Sequence, residues 1–104
     1  MIQHVPARAA FDPAKMAKID CFRSARLSIG LNCFEPGQAQ RVHAHQGADK
    51  FYLVVSGKAR FVVGAASYEA SAGDLILAPA DVPHGVETAH ERTVVLVGIA
   101  PAPA

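Results

Sequence analysis

No apolar run in this chain is long enough to cross a bilayer. The longest, Leu75 to Pro79 and Thr93 to Ala100, fall far short of the ~20 residues a spanning helix needs. No membrane partner is therefore expected. The first ten residues, Met1 to Ala10, lack the apolar stretch of a secretory signal, so a cytoplasmic location is expected. Charge of one sign is also scarce. Ten Lys and Arg against nine Asp and Glu leave a formal net charge of +1, and the basic residues are scattered. That excludes the basic stripe by which a protein grips nucleic acid. Cysteine is limited to Cys21 and Cys33, which lack the paired spacing of a metal site and do not form a disulfide framework. Two free thiols suit a reducing compartment. Tryptophan is absent, which excludes nothing.

Long helical periodicity is missing as well, and what remains is strand-like. Length suits one domain that buries roughly 65% of the surface its unfolded chain would expose. Residues 1–18 read as a packed N-terminal arm, in which Asp12 as N-cap and Pro13 at the first helical position predict one helical turn up to Lys18. From Ile19 the period becomes two. Leu27, Ile29, Leu31 and Cys33 alternate with Arg26, Ser28, Gly30 and Asn32, which predicts a half-buried strand with its polar side to solvent. Further strands are predicted over Gln38 to His45, Phe51 to Ser56, Ala59 to Val63, Ser67 to Ala70, Asp74 to Ala78, His84 to Thr88 and Thr93 to Ile99. Gly57-Lys58 between two of them predicts a tight hairpin, since Gly supplies positive φ. Turns every seven to nine residues from Gly57 to Gly73 point to an all-β sandwich or barrel over residues 19–100, with residues 101–104 a loose tail.

Two stretches carry chemistry. In Gly37-x5-His43-x-His45 the two imidazoles are two residues apart, so a strand would send both to one face. In Gly73-x5-Pro79-x4-His84 a third imidazole follows a Gly-bounded strand. Three imidazoles from two strands can cap one face of a metal ion and leave other positions open. A single strand histidine is more often structural; three at these offsets are different. His4 and His90 lie outside both stretches and read as surface residues. Neither a phosphate loop around Ser56-Gly57-Lys58 nor a G-x-S-x-G elbow is present.

With Gly57 closing the strand after the first stretch, these spacings resemble the two motifs of the cupin superfamily, and the chain looks like a small RmlC-like single-domain cupin. The resemblance runs from about Phe34 to Thr88. It implies an antiparallel double-stranded β-helix, or jelly-roll barrel, with His43, His45 and His84 as metal ligands, and a homodimer. Two segments, Leu27 to Phe34 and Thr93 to Ala100, are candidate interface strands.

The departures from the pattern are informative. The position usually held by Glu is Lys50, beside Asp49; the Gly two residues after the Pro is Asp81; the closing Asn is Thr88. An inward ammonium about 5 Å from a divalent ion would be repelled by roughly 6 kcal/mol at an effective dielectric near 20. Lys50 is therefore expected to carry its charge out to solvent. Asp49 is open as a fourth ligand or a partner to a ligating histidine, with three histidines alone slightly preferred. Tyr52, Arg41, Gln38 and Gln40 are candidate pocket residues, each more simply read as structural or solvated. A divalent ion on three neutral ligands keeps its full charge and favours an anionic chelating metabolite. The metal, among Fe, Mn, Zn, Ni and Cu, is not chosen by imidazole alone. An oxygenase stands first, with an isomerase or lyase behind it; the other class is a non-catalytic metal- or small-ligand-binding module, a sensor or accessory domain.

Overall fold

A computed structural model describes residues 1–103, and it divides the strands between two antiparallel sheets. The elements in chain order are α1 (Val5–Arg8), β1 (Ala17–Arg23), β2 (Ser28–Phe34), β3 (Gln40–His43), β4 (Asp49–Ser56), β5 (Lys58–Val63), β6 (Ala66–Ser71), β7 (Leu75–Ala78), β8 (His84–Ala89) and β9 (Thr93–Ala100). One sheet has the order β1-β2-β9-β4-β7 and the other β3-β8-β5-β6. The two pack face to face as a jelly-roll, the expected all-β class. No helix among the described residues is long and apolar enough to cross a membrane.

Alternation along the strands builds the core. Tyr52 and Val54 from β4, Val95 and Val97 from β9, and Ile76 from β7 point between the sheets and meet Phe61 of β5 and Val86 of β8. Each such side chain contributes roughly 1.5–3 kcal/mol by leaving water. The outer face of the five-stranded sheet is apolar too. Leu31, Cys33 and Val94 lie there under Val5, Ala9 and Phe11 of the N-terminal arm.

That second layer corrects the reading of β2. Leu31 and Cys33 face the arm, so Asn32 is buried between the sheets instead of facing solvent. The predicted helical turn at Asp12 to Lys18 does not form. Asp12 Oδ1 accepts from Ala14 N at 2.8 Å, closing a local turn, and the one helical turn among the described residues is at Val5–Arg8. Gly57-Lys58 does not close a hairpin either. β4 and β5 belong to different sheets, so this pair is the corner between them. Gly57 has φ +90°, and a Cβ there would collide with the Arg92 carbonyl oxygen, while Thr93 Oγ1 accepts from Lys58 N at 3.2 Å. Of the predicted tail, residue 104 lies outside the described residues, and the Pro103 carbonyl accepts from Arg23. Both cysteines are free, Cys33 buried and Cys21 partly so.

Candidate metal centre

The last residue of β3 and the first of β8 are His43 and His84, and they sit opposite one another in the antiparallel register. β3 is shorter than the sequence pattern suggests, so His45 lies past its end, in the loop to β4. Its ring still converges. The Asp81 amide donates to the His45 carbonyl at 3.1 Å, and Asp81 Oδ1 accepts from the Gly47 amide at 3.1 Å. Asp81 has φ +69°, the left-handed region where the cupin pattern places Gly. Asp tolerates that region better than most residues, and here its side chain and amide both hold the His45 loop. Asp49 Oδ1 accepts from Ala80 N at 2.9 Å and pins the same turn. Its carboxylate is not among the clustered ligand atoms.

The three rings differ in how they are aimed. His43 Nδ1 is 2.9 Å from the Arg41 carbonyl oxygen and His84 Nδ1 is 3.0 Å from that of Val82. A carbonyl only accepts, so each of these two Nδ1 atoms carries the proton and each Nε2 presents its lone pair. The ligand nitrogens of His43, His45 and His84 lie within 4.8 Å of one another. Those of His43 and His45 are 3.2 Å apart. Two nitrogens bound to one ion at ~2.0–2.1 Å, subtending about 90–109°, are separated by about 2.9–3.4 Å, so this spacing fits a shared metal. His84 Nε2 is buried and has no hydrogen-bond partner among the described residues, as a ligand atom would. Burial first, opposed by the Val82 hydrogen bond and aided by Lys50, pushes the His84 pKa down to about 4. Burial and then Lys50 lower that of His45. Both rings are therefore neutral at pH 7 and free to ligate.

Lys50 departs from expectation. It alternates with Tyr52 and Val54 on a central strand, between Ala78 of β7 and Ile99 of β9, so its side chain points between the sheets. It is 5% exposed, with Nζ 4.5 Å from the centre of the Tyr52 ring. Among the described residues it has no ion pair. Burial first, then Lys18, lowers its pKa from 10.5 to about 8, a cost to the charged form of about 3 kcal/mol. A cation over a ring returns about 0.5–2 kcal/mol.

Tyr52 donates to Gln40 Oε1 at 2.6 Å, and both are buried beside the site. Burial raises the Tyr52 phenol above its ordinary range, so it remains protonated. Gln38 instead ties the arm, donating to the Asp12 carbonyl at 2.7 Å, and Arg41 is exposed. His90 is exposed and paired with Glu69 at 2.7 Å. Sequence reasoning missed Asn32, 6% exposed with Nδ2 unpartnered, and Lys18. Both line a cleft of about 190 Å³ with His43, His45 and Lys50. The alternation of β2 carries a signal for Asn32 but does not say which of its two sides is inward.

The profile of the cupin domain family matches residues 30–99, well over half the chain. A protein of Streptomyces coelicolor, SCO3923, is 33% identical over 96 residues, covering 90% of this chain and 86% of that protein. The crystal structure of TT1209 from Thermus thermophilus is similar with a TM-score of 0.93 and 39% identity, covering 98% of each chain. An RmlC-like cupin protein from Desulfovibrio desulfuricans is similar with a TM-score of 0.86 and 33% identity, covering 97% of each chain.

Proposed function

The chain belongs to the cupin domain family, and from that premise we propose that it holds a divalent transition metal on His43, His45 and His84 and acts on a small anionic chelating metabolite. The observation that carries this reading is the 3.2 Å separation of the His43 and His45 Nε2 atoms, with the Nδ1 proton of His43 committed to a backbone carbonyl. A bound ion would supply Lewis-acid activation of ligand oxygens, and as Fe or Mn would add redox chemistry. The protein's own contribution is to hold three imidazole donors on one side and leave the cleft side open to a ligand. Tyr52 and Gln40, buried and hydrogen-bonded to each other, form the inner wall. Oxygenase chemistry is the leading form of this proposal, with isomerase or lyase chemistry behind it.

A second reading rests on Lys50. Its buried charge opposes a cation, which favours a module that binds a small anion without turning it over. Metal content of protein purified without chelators separates the two. Near-stoichiometric Fe or Mn supports the oxygenase, and Zn moves the reading to isomerase or lyase chemistry. Protein without metal, and unable to take it up, leaves the binding module.

A homodimer is part of this proposal, but not through the strands the sequence suggested. β2 and β9 are both interior strands of their sheet. The support lies on edge strand β7, where Leu75 and Leu77 are 58% and 63% exposed beside Phe51 and Leu53 of β4.

A further inference from the structure

The cleft beside the histidines is furnished for something other than a cation. Among the described residues, Lys18, Arg23 and Lys50 line it against a single carboxylate, Asp20, so with neutral imidazoles these side chains sum to a charge of +2. Lys50 stands where the family pattern has Glu, which inverts the sign of the charge facing the interior. Asn32 adds a buried amide donor, Nδ2, that has no partner. Lys18 sits directly opposite Asn32 in the β1–β2 register, at the open rim of the same cleft. Arg23 is engaged by the Pro103 carbonyl, and Asp20 is exposed. The charged side chains left to a ligand are the buried Lys50 and the exposed Lys18 at the rim, beside the unpartnered Asn32 Nδ2; Ser28 and Gln40 are further polar side chains of the lining.

We propose that Lys50, Asn32 and Lys18 form a carboxylate-binding subsite, so that the ligand is a small acid with one oxygen function directed at the histidines and a carboxylate seated on the Lys50 ammonium. A buried cation and a buried donor without partners are each costly, and an anion in the cleft that both line would neutralise the one and offer an acceptor to the other. The cleft volume, about 190 Å³, equals about six waters at ~30 Å³ each, which suits a small metabolite acid. The end directed at the histidines rests on the function proposed above; the carboxylate end does not.

Calorimetric titration at pH 7 tests this with acetate, malonate and succinate, each against its amide, on both metal-loaded and chelator-treated protein. At least one acid should bind more than about tenfold more tightly than its amide to the chelator-treated protein, where no ion opposes the Lys50 charge, the usual scale for a hydrogen bond to a charged group. Lys50→Met and Asn32→Leu should each erase about tenfold of that preference; Lys18→Met should erase part of it. Acid preference in the stripped protein, with no metal uptake on reloading, would retire the metal reading and keep this one. Equal binding of every acid and its amide by wild-type protein overturns the proposal whether or not the variants fold. So does tighter binding of inorganic phosphate than of any carboxylate, or an acid preference of the chelator-treated protein that survives Lys50→Met.

Discussion

Lys50→Met removes the one buried charge that opposes a metal, and the structure bounds how much this can matter. If its ammonium lay about 6–8 Å from a divalent ion, a protonated Lys50 would be repelled by about 4–6 kcal/mol at an effective dielectric near 20. With a pKa of about 8, giving up its proton at pH 7 costs only about 1.4 kcal/mol. The cheaper route wins, so binding of an ion would leave Lys50 neutral and lower metal affinity by about tenfold. Metal binding favours the deprotonated amine, so wild-type affinity gains that factor as pH rises through 8, beyond any gain seen in the variant. Competition against a chelating indicator at pH 7 and pH 9 measures it. Lys50→Met, similar in length and apolar, should bind metal about tenfold more tightly at pH 7 and no more tightly at pH 9. Lys50→Glu should exceed Lys50→Met at both, because a carboxylate then faces the ion. Equal tightening by Met at both pH values would mean that Lys50 keeps its proton; weaker binding by the Met variant would mean that the amine itself ligates. Either result refutes this account.

His43→Ala or His84→Ala should abolish stoichiometric metal binding while circular dichroism and a cooperative melt persist, because the core between the sheets, not the ion, carries the stability; loss of the folded state on chelation would contradict this. Asp49→Asn should leave metal affinity within about threefold and lower stability by about 1 kcal/mol, since its carboxylate accepts from the Ala80 amide and is not among the clustered donor atoms; an affinity loss of tenfold or more would restore Asp49 to the site. Gly57→Ala should destabilise by about 2–4 kcal/mol in urea titration, because the new methyl meets the Arg92 carbonyl at a position already at φ +90°; a change under about 0.5 kcal/mol would mean the corner is not tightly packed.

Which parts of this molecule could be read without coordinates follows from how local each signal is. Strand after strand was visible because alternation is a property of neighbours in sequence, as in Lys50, Tyr52 and Val54 of β4. The three histidines were visible because their spacing is tied to framing glycines and Pro79, turn chemistry that acts over a few residues. The same locality misled at Gly57. A Gly-x pair between two strands has one local meaning, yet only the pairing of β4 with β9 and of β5 with β8 shows that the chain changes sheets there.

Alternation along β2 says that Leu31 and Asn32 face opposite ways, but not which way is inward. The N-terminal arm decided that, by covering Leu31 and Cys33 from outside and leaving Asn32 to the cleft. Lys50 shows the same division. Its sequence position, one residue past Asp49, allowed either face and a side chain long enough to reach water. The registers to Ala78 and Ile99 on both flanks removed the exit and laid the ammonium over Tyr52. The sequence alone determined which residues alternate, where the chain turns and which side chains can ligate, because those depend on near neighbours. Burial of a charge depends on what packs above and beside it, and for Lys50 and Asn32 those neighbours come from strands tens of residues away.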